Sequence, residues 1–256
     1  MKNRFVSILF ALFFVSKLFG GNDLYEKREF IYKGDTLKYR VLFPENYDKD
    51  RKYPLVLFLH GAGERGNDNE KQLLHGSSLF TNSDTRKDYP SIVLFPQCPE
   101  DEWWINFERT EGGELEFSKK PKITKSLSLV KSLTDSYLKN EAVDKRRVYV
   151  MGLSMGGMGT YDLICRYPRY FAAAIPICGG VHTGRLKKAR KMNIRIFHGA
   201  EDKVVSREFS RNAYIELKAQ GSQRVEYIEF PGIGHDSWTK AFAYDDFLSW
   251  LYYHSR

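Results

Sequence analysis

The chain has 256 residues, 42% hydrophobic and 28% charged, with 40 Lys and Arg against 32 Asp and Glu for a formal net charge of +8. This length and balance suit one large globular domain or two small ones, and exclude intrinsic disorder, a collagen-like repeat and a disulfide-stapled miniprotein. No Lys/Arg run is interleaved with aromatic residues, so the charge reads as a solvated basic surface. It carries no nucleic-acid footprint and at most a mild pull toward acidic polysaccharide or a membrane surface.

Lys2 and Arg4 precede an apolar run at 5–15, and Gly20 and Gly21 stand before the polar Asn22 and Asp23. That order predicts an export signal over residues 1–21, leaving 22–256 as a single mature domain, secreted or periplasmic. The run is too short for a bilayer core of about 30 Å and is followed by Lys17, so no stable membrane insertion is expected after cleavage. No Cys lies near the cleavage point to carry a lipid anchor, and loss of Lys2, Arg4 and Lys17 lowers the net charge to +5. The three cysteines, Cys98, Cys165 and Cys178, read as buried small hydrophobes, with a Cys165 to Cys178 bridge as the alternative.

Residues 28–32 and 37–43, joined through Lys33-Gly34-Asp35, predict an opening antiparallel hairpin. Near-continuous apolar runs follow at 55–59, 92–95, 148–151, 172–177, 194–197 and 225–230. Runs of that character are what strands covered on both faces require. Between them lie helical spacings: Ile123, Leu127, Val130, Leu133 and Tyr137; then Phe209, Ala213 and Leu217, ended by Gly221; and a closing helix over 241–253. Strand and helix alternate, which predicts an α/β class with a mostly parallel central sheet flanked by helices on both faces. Residues 99–121, with Trp103 and Trp104, have no clean period and read as a long loop at the ligand-binding edge of that sheet.

The chemistry concentrates at three strand ends. Gly152-Leu153-Ser154-Met155-Gly156 follows a strand and precedes a helical stretch. A sharp strand-to-helix turn needs glycine flanks because its backbone packs too tightly for side chains, and the turn lifts the serine hydroxyl above the sheet. A serine is too weakly acidic to attack unaided, so a base and an orienting carboxylate must follow. Asp202 comes off the strand at 194–197, with Glu201 and Asp236 as competing acids. His235 leaves the strand at 225–230 through Pro231-Gly232, with His198 as its rival. Upstream, His60-Gly61-Ala62-Gly63 ends the strand at 55–59, and His60 reads as structural. The N–H groups of Met155 and of Ala62 or its neighbour are the candidate oxyanion donors. No Cys/His cluster has metal-ligand spacing, so no metal or other cofactor is expected.

These segments resemble the α/β-hydrolase-fold serine esterases. The resemblance is to an exported branch that includes polyhydroxybutyrate-depolymerase-like proteins, feruloyl and acetylxylan esterases, and sequences labelled predicted peptidases. It is carried by His60 to Asn69, Phe95-Pro96-Gln97-Cys98-Pro99 with Trp103, Arg147 to Gly157, Pro176 to Gly180, His198 to Asp202, and Gly234-His235-Asp236-Ser237-Trp238. Dienelactone hydrolases are similar in outline, yet carry Cys where this chain has Ser154. The resemblance implies a Ser154–His235–Asp202 triad working through an acyl-enzyme, without cofactor, on a small-molecule or polysaccharide ester. Feruloyl or acetyl decorations of plant polysaccharide are the leading class, with Trp103, Trp104 and Trp238 as an aromatic substrate wall. A serine peptidase of the same fold and a non-catalytic glycan-binding relative are the alternatives. Oligomeric state is not encoded in any motif.

Overall fold

The computed structural model describes residues 21–256, so the expected export segment lies, apart from Gly21, outside the described residues. Among the described residues no helix is long and apolar enough to cross a membrane. The described residues form ten strands in chain order: β1 (Glu26–Tyr32), β2 (Asp35–Leu42), β3 (Tyr53–Leu59), β4 (Ile92–Pro96), β5 (Glu108–Arg109), β6 (Leu115–Glu116), β7 (Val143–Leu153), β8 (Ala173–Ile177), β9 (Asn193–Gly199) and β10 (Val225–Phe230). Eight of them make one sheet in the order β1-β2-β4-β3-β7-β8-β9-β10. β1 and β2 pair antiparallel as the hairpin expected from sequence, β2 meets β4 antiparallel, and every other neighbour is parallel.

The apolar runs become strands because both faces of the sheet are covered. β3, β4 and β8 are buried along their whole length. Alternation along β3 sends Leu55, Leu57 and Leu59 to one face and Val56 and Phe58 to the other. The first face receives α3 (Lys125–Asn140), α4 (Met155–Arg166) and α5 (Glu208–Ala219). The second receives α1 (Ser78–Thr81), α6 (Trp238–Phe242) and α7 (Phe247–Tyr253), while the short α2 (Ser83–Asp88) leads into β4. Each fully buried Leu here contributes about 1.5–3 kcal/mol through removal from water.

Two expectations need correction. Residues 99–121 are not wholly irregular, because β5 and β6 pair as a small antiparallel hairpin closed by Gly113 at φ +83°. The closing stretch is also two helices rather than one. The chain turns at 243–246 and delivers the Asp246 carboxylate to the buried Arg195, at 2.7 and 3.0 Å. Glu226 holds the same guanidinium at 2.7 Å, and the two carboxylates together satisfy a buried charge that would cost several kcal/mol if left unpaired.

Candidate active site

Ser154 sits between β7 and α4 with φ 52° and ψ −117°, a left-handed backbone that is costly for any residue bearing a Cβ. The flanking glycines make this turn possible. A Cβ on Gly156 would run into the Leu59 carbonyl oxygen, and one on Gly152 would run into the carbonyl of Gly156. The Ser154 N–H donates to the Ile177 carbonyl at 2.9 Å, fastening the turn to the end of β8.

Asp202 lies three residues beyond β9 and is buried, whereas its competitors Glu201 and Asp236 are exposed. Its Oδ1 accepts the Val204 and Val205 N–H groups, both at 2.9 Å, and its Oδ2 accepts from His235 Nδ1 at 2.7 Å. His198 Nε2 stands 3.2 Å from the same Oδ2. Burial by itself would raise the Asp202 pKa. The bonds from His198, His235 and Val205 prevail and hold the carboxyl well below the usual carboxylate range.

His235 follows β10, and its Nε2 lies 2.9 Å from Ser154 Oγ. Because Nδ1 faces a carboxylate, Nδ1 carries the proton and Nε2 is left to accept from the serine hydroxyl. The three residues named from sequence are thus joined in one hydrogen-bonded line. Backbone contacts align the loops that carry Asp202 and His235: the Ala200 N–H donates to the Phe230 carbonyl at 3.0 Å, and the Glu201 N–H donates to the Ile233 carbonyl at 2.8 Å. Gly199 permits this approach, since a Cβ there would strike the Gly234 carbonyl.

The rival His198 and the expected structural His60 both have structural partners. His198 is fully buried, with Nε2 donating to the Val205 carbonyl at 2.9 Å and Nδ1 paired with Ser210 Oγ at 2.7 Å. His60 Nε2 accepts the Cys98 N–H at 2.9 Å, so its Nδ1 donates to the Gly61 carbonyl at 2.6 Å. Burial pushes the His60 pKa down to about 4 and keeps the ring neutral.

Ala62 opens a 3-10 turn, Ala62–Glu64, and Met155 opens α4, so the N–H groups of both belong to first turns that lack intrahelical acceptors. Gly61 stands close to the serine: a Cβ on it would lie 3.7 Å from Ser154 Cβ. Glu64, given no role from sequence, is buried beside this backbone, with one oxygen 3.7 Å from His75 Nε2. The only sequence signal for it was its place two residues beyond Ala62.

The aromatic wall is dispersed. Trp104 is fully buried and its indole N–H donates to the His60 carbonyl at 3.1 Å, so it is a core residue that no substrate can reach. It packs on α4, where a Cβ on Gly159 would meet it at 3.0 Å. Trp103 is half-buried, with the Arg65 guanidinium 4.3 Å over its ring and Phe107 edge-on at 4.9 Å. It lines a cleft of about 520 Å³ together with Glu102, Phe107 and Ile123, apart from the triad. Trp238 does lie at the site, its ring 5.5 Å from that of His235 and 5.2 Å from that of His75. Sequence reasoning missed the cleft of about 590 Å³ that Asp202 and Val204 line from the loop after β9, formed with Arg109 and Leu115 of the β5–β6 hairpin and Phe209 at the start of α5.

Cys178, Asp202 and His235 offer ligand atoms within 4.8 Å of one another. The donor chemistry does not suit a metal: both oxygens of Asp202 and both nitrogens of His235 are hydrogen-bonded, and burial pushes the Cys178 thiol up to about 12. Cys98, Cys165 and Cys178 are all buried and free.

Residues 46–254 match the family described as Phospholipase/Carboxylesterase, Abhydrolase_2. The chain is similar to Carboxylesterase SOBER1 of Arabidopsis thaliana, 27% identical over 213 residues that cover 77% of this chain and 88% of the relative. Among solved structures it is similar to a thermostable esterase, with TM-score 0.83, 34% identity and 92% of this chain covered; it spans 64% of that esterase's length. A CE1 ferulic acid esterase from Anaeromyces mucronatus shares the fold at TM-score 0.64 and 16% identity, over 86% of this chain and 88% of that one. The sheet order, the strand-to-helix turn and these matches together make the chain a member of the phospholipase/carboxylesterase family of α/β hydrolases, an esterase-like hydrolase.

Proposed function

We propose that this protein is an exported serine carboxylic ester hydrolase, with residues 1–21 as signal and 22–256 as one domain, acting on feruloyl or acetyl esters of plant polysaccharide. The observation that carries the reading is the line from Ser154 Oγ through His235 to the Asp202 carboxylate, at 2.9 and 2.7 Å. His235 takes the hydroxyl proton on Nε2 as Ser154 Oγ attacks the ester carbonyl. The Met155 and Ala62 N–H groups receive the oxyanion. Asp202 stays ionised, holds the imidazole tautomer and stabilises the imidazolium. The proton on Nε2 then passes to the departing alcohol. Water, deprotonated by the same nitrogen, cleaves the acyl-enzyme and restores Ser154. No cofactor enters any step.

The feruloyl and acetyl preference draws support from similar proteins, which include a probable feruloyl esterase C of Aspergillus oryzae and a bifunctional acetylxylan esterase/xylanase of Neocallimastix patriciarum. Trp238 beside His235 adds an aromatic surface at the reacting centre. The test is a panel of methyl ferulate, acetylated xylan, short nitrophenyl esters and matched anilides, assayed with wild type and Ser154→Ala. Ester turnover should fall by at least about 10³-fold in the variant with its melting temperature unchanged. Retained turnover would remove Ser154 as nucleophile, and faster anilide cleavage would favour a peptidase.

A further inference from the structure

The basic excess of this chain is concentrated in two segments. Residues 117–134 and 163–200 together hold thirteen Lys and Arg and no Asp or Glu, whereas the whole chain sums to +8, so everything outside them is net negative. The fold brings these segments side by side. The turn from α4 to β8 and the stretch before β9 enclose a cleft of about 1000 Å³, lined by Arg166, Arg169, Lys188, Arg190 and Lys191 with Tyr167 and Tyr170. An adjoining cleft of about 480 Å³ shares Arg166 and Lys188 and adds Lys119, Lys120, Arg185 and Lys187. From there Pro121 and Arg185 lead to a small pocket lined by Phe117, Met158 and Gly180, one turn along α4 from Ser154. The basic face therefore begins at the amino ends of β8 and β9, opposite the catalytic edge, and runs along α4 toward it.

Most of this charge is available. Of the thirteen, five are paired: Asp162 holds Arg166 at 2.6 Å and Arg185 at 2.5 Å, Asp135 holds Lys131 at 2.7 Å, Glu102 holds Lys125 at 3.0 Å, and Glu226 and Asp246 hold the buried Arg195. Lys119, Lys120, Arg169, Lys187, Lys188 and Lys191 are exposed and have no carboxylate within 4 Å among the described residues. Such crowding of like charge is unfavourable for the isolated protein and is relieved by a polyanion.

We infer that this face is an exosite for a uronic-acid-bearing polysaccharide, holding an anionic glycan while its ester decorations reach Ser154. The inference uses the proposed ester hydrolysis only for the second half of that statement. Carboxylates match arginine and lysine donors through charge-assisted hydrogen bonds. A membrane fits poorly, because the face is concave and its lining includes none of the exposed large hydrophobic residues that insertion would need. Single-stranded nucleic acid fits poorly as well, since Lys131 Nζ sits 4.8 and 4.1 Å over the Tyr167 and Tyr170 rings where bases would stack.

The test uses the full chain carrying Ser154→Ala, so that binding is read without turnover. It should bind polygalacturonate with an affinity that falls as salt rises, and bind neutral arabinoxylan at least about tenfold more weakly. K187E/K188E should weaken polygalacturonate binding by about tenfold or more, while K33E/K87E, the same charge change at the far edge of the sheet, should change it by less than about twofold. In the Ser154 background, K187E/K188E should leave nitrophenyl acetate turnover unchanged. Equal losses in the two charge-reversal pairs would overturn the exosite, as would tighter binding to phosphatidylglycerol vesicles or to single-stranded DNA than to polygalacturonate. Failure of the esterase reading has a different signature, binding intact with no ester turned over by the Ser154 protein.

Discussion

The turn around Ser154 and the tryptophan loop around Trp104 lie on neighbouring parts of the same sheet edge, yet they are specified in opposite ways. At the serine turn the demand is written in adjacent residues even where its cause is distant: glycines at 152 and 156 remove the Cβ atoms that would strike the backbone of the turn and of β3. In the loop the outcome is decided at a distance. Trp104 is core because its N–H finds a carbonyl 44 residues earlier, while Trp103, one position away, stays half-exposed under Arg65. Local steric demand can be read from adjacent residues, and side-chain destination cannot.

The strongest way to break this contrast is at the acid. An amide at position 202 would present donors to the Val204 and Val205 N–H groups or to the two histidines, so Asp202→Asn should lower ester turnover by on the order of 10⁴-fold. Glu201→Gln and Asp236→Asn, both exposed, should leave it within about twofold. A greater loss at either of those two would reassign the acid. Next comes Trp104→Ala, expected to cost about 3–5 kcal/mol of stability and to harm all esters alike, whereas Trp103→Ala should cost about 1 kcal/mol. Equal denaturation midpoints for the two variants would erase the difference between them.

His60 adds a pH test of the same buried seam. Its folded pKa of about 4 lies below the ordinary histidine value of about 6.5, so between those limits the unfolded chain binds more protons than the native one. Stability should therefore decline as pH falls from about 6.5 to about 4, by on the order of 3 kcal/mol, and His60→Gln should flatten that slope. Urea melts across this range read it directly; an unchanged slope in the variant would assign the loss to other groups. The smallest expected effect is at Trp238. Its replacement by Ala should raise KM for methyl ferulate by several-fold relative to nitrophenyl acetate, consistent with an aromatic contact worth about 0.5–1.5 kcal/mol. Parallel KM changes for both esters would make Trp238 a support for His235 alone.

The sheet and the three candidate residues that the structure brings together are legible because each leaves a short-range mark: an apolar run, a glycine-flanked serine, an acid or a histidine just past a strand. The split of the closing helix was not, since it depends on Arg195 reaching Asp246 across 51 positions. The cleft beside Asp202 was equally hidden. It arises where a hairpin of two-residue strands meets α5; the spacing of Phe209, Ala213 and Leu217 marks the helix, but strands that short leave no period to place the hairpin against it. Glu64 escaped notice because nothing in its neighbourhood signals that a glutamate will be buried.

The seam between β9 and β10 carries a consequence for heat. Asp202 and His235 leave adjacent strands and their loops are bonded backbone to backbone, whereas Ser154 leaves β7, with β8 lying between. The Cys178 N–H at the end of β8 donates to the Phe197 carbonyl of β9, and the Ser154 N–H donates to the Ile177 carbonyl of β8, so the backbone of Ser154 is tied to the strands carrying Asp202 and His235 through an intermediary strand. Warming that loosens the sheet edge should therefore leave Asp202 and His235 paired after Ser154 Oγ has moved away from His235. Inactivation on warming should thus begin as a lengthened reach between oxygen and nitrogen, reversible on cooling, before any strand separates.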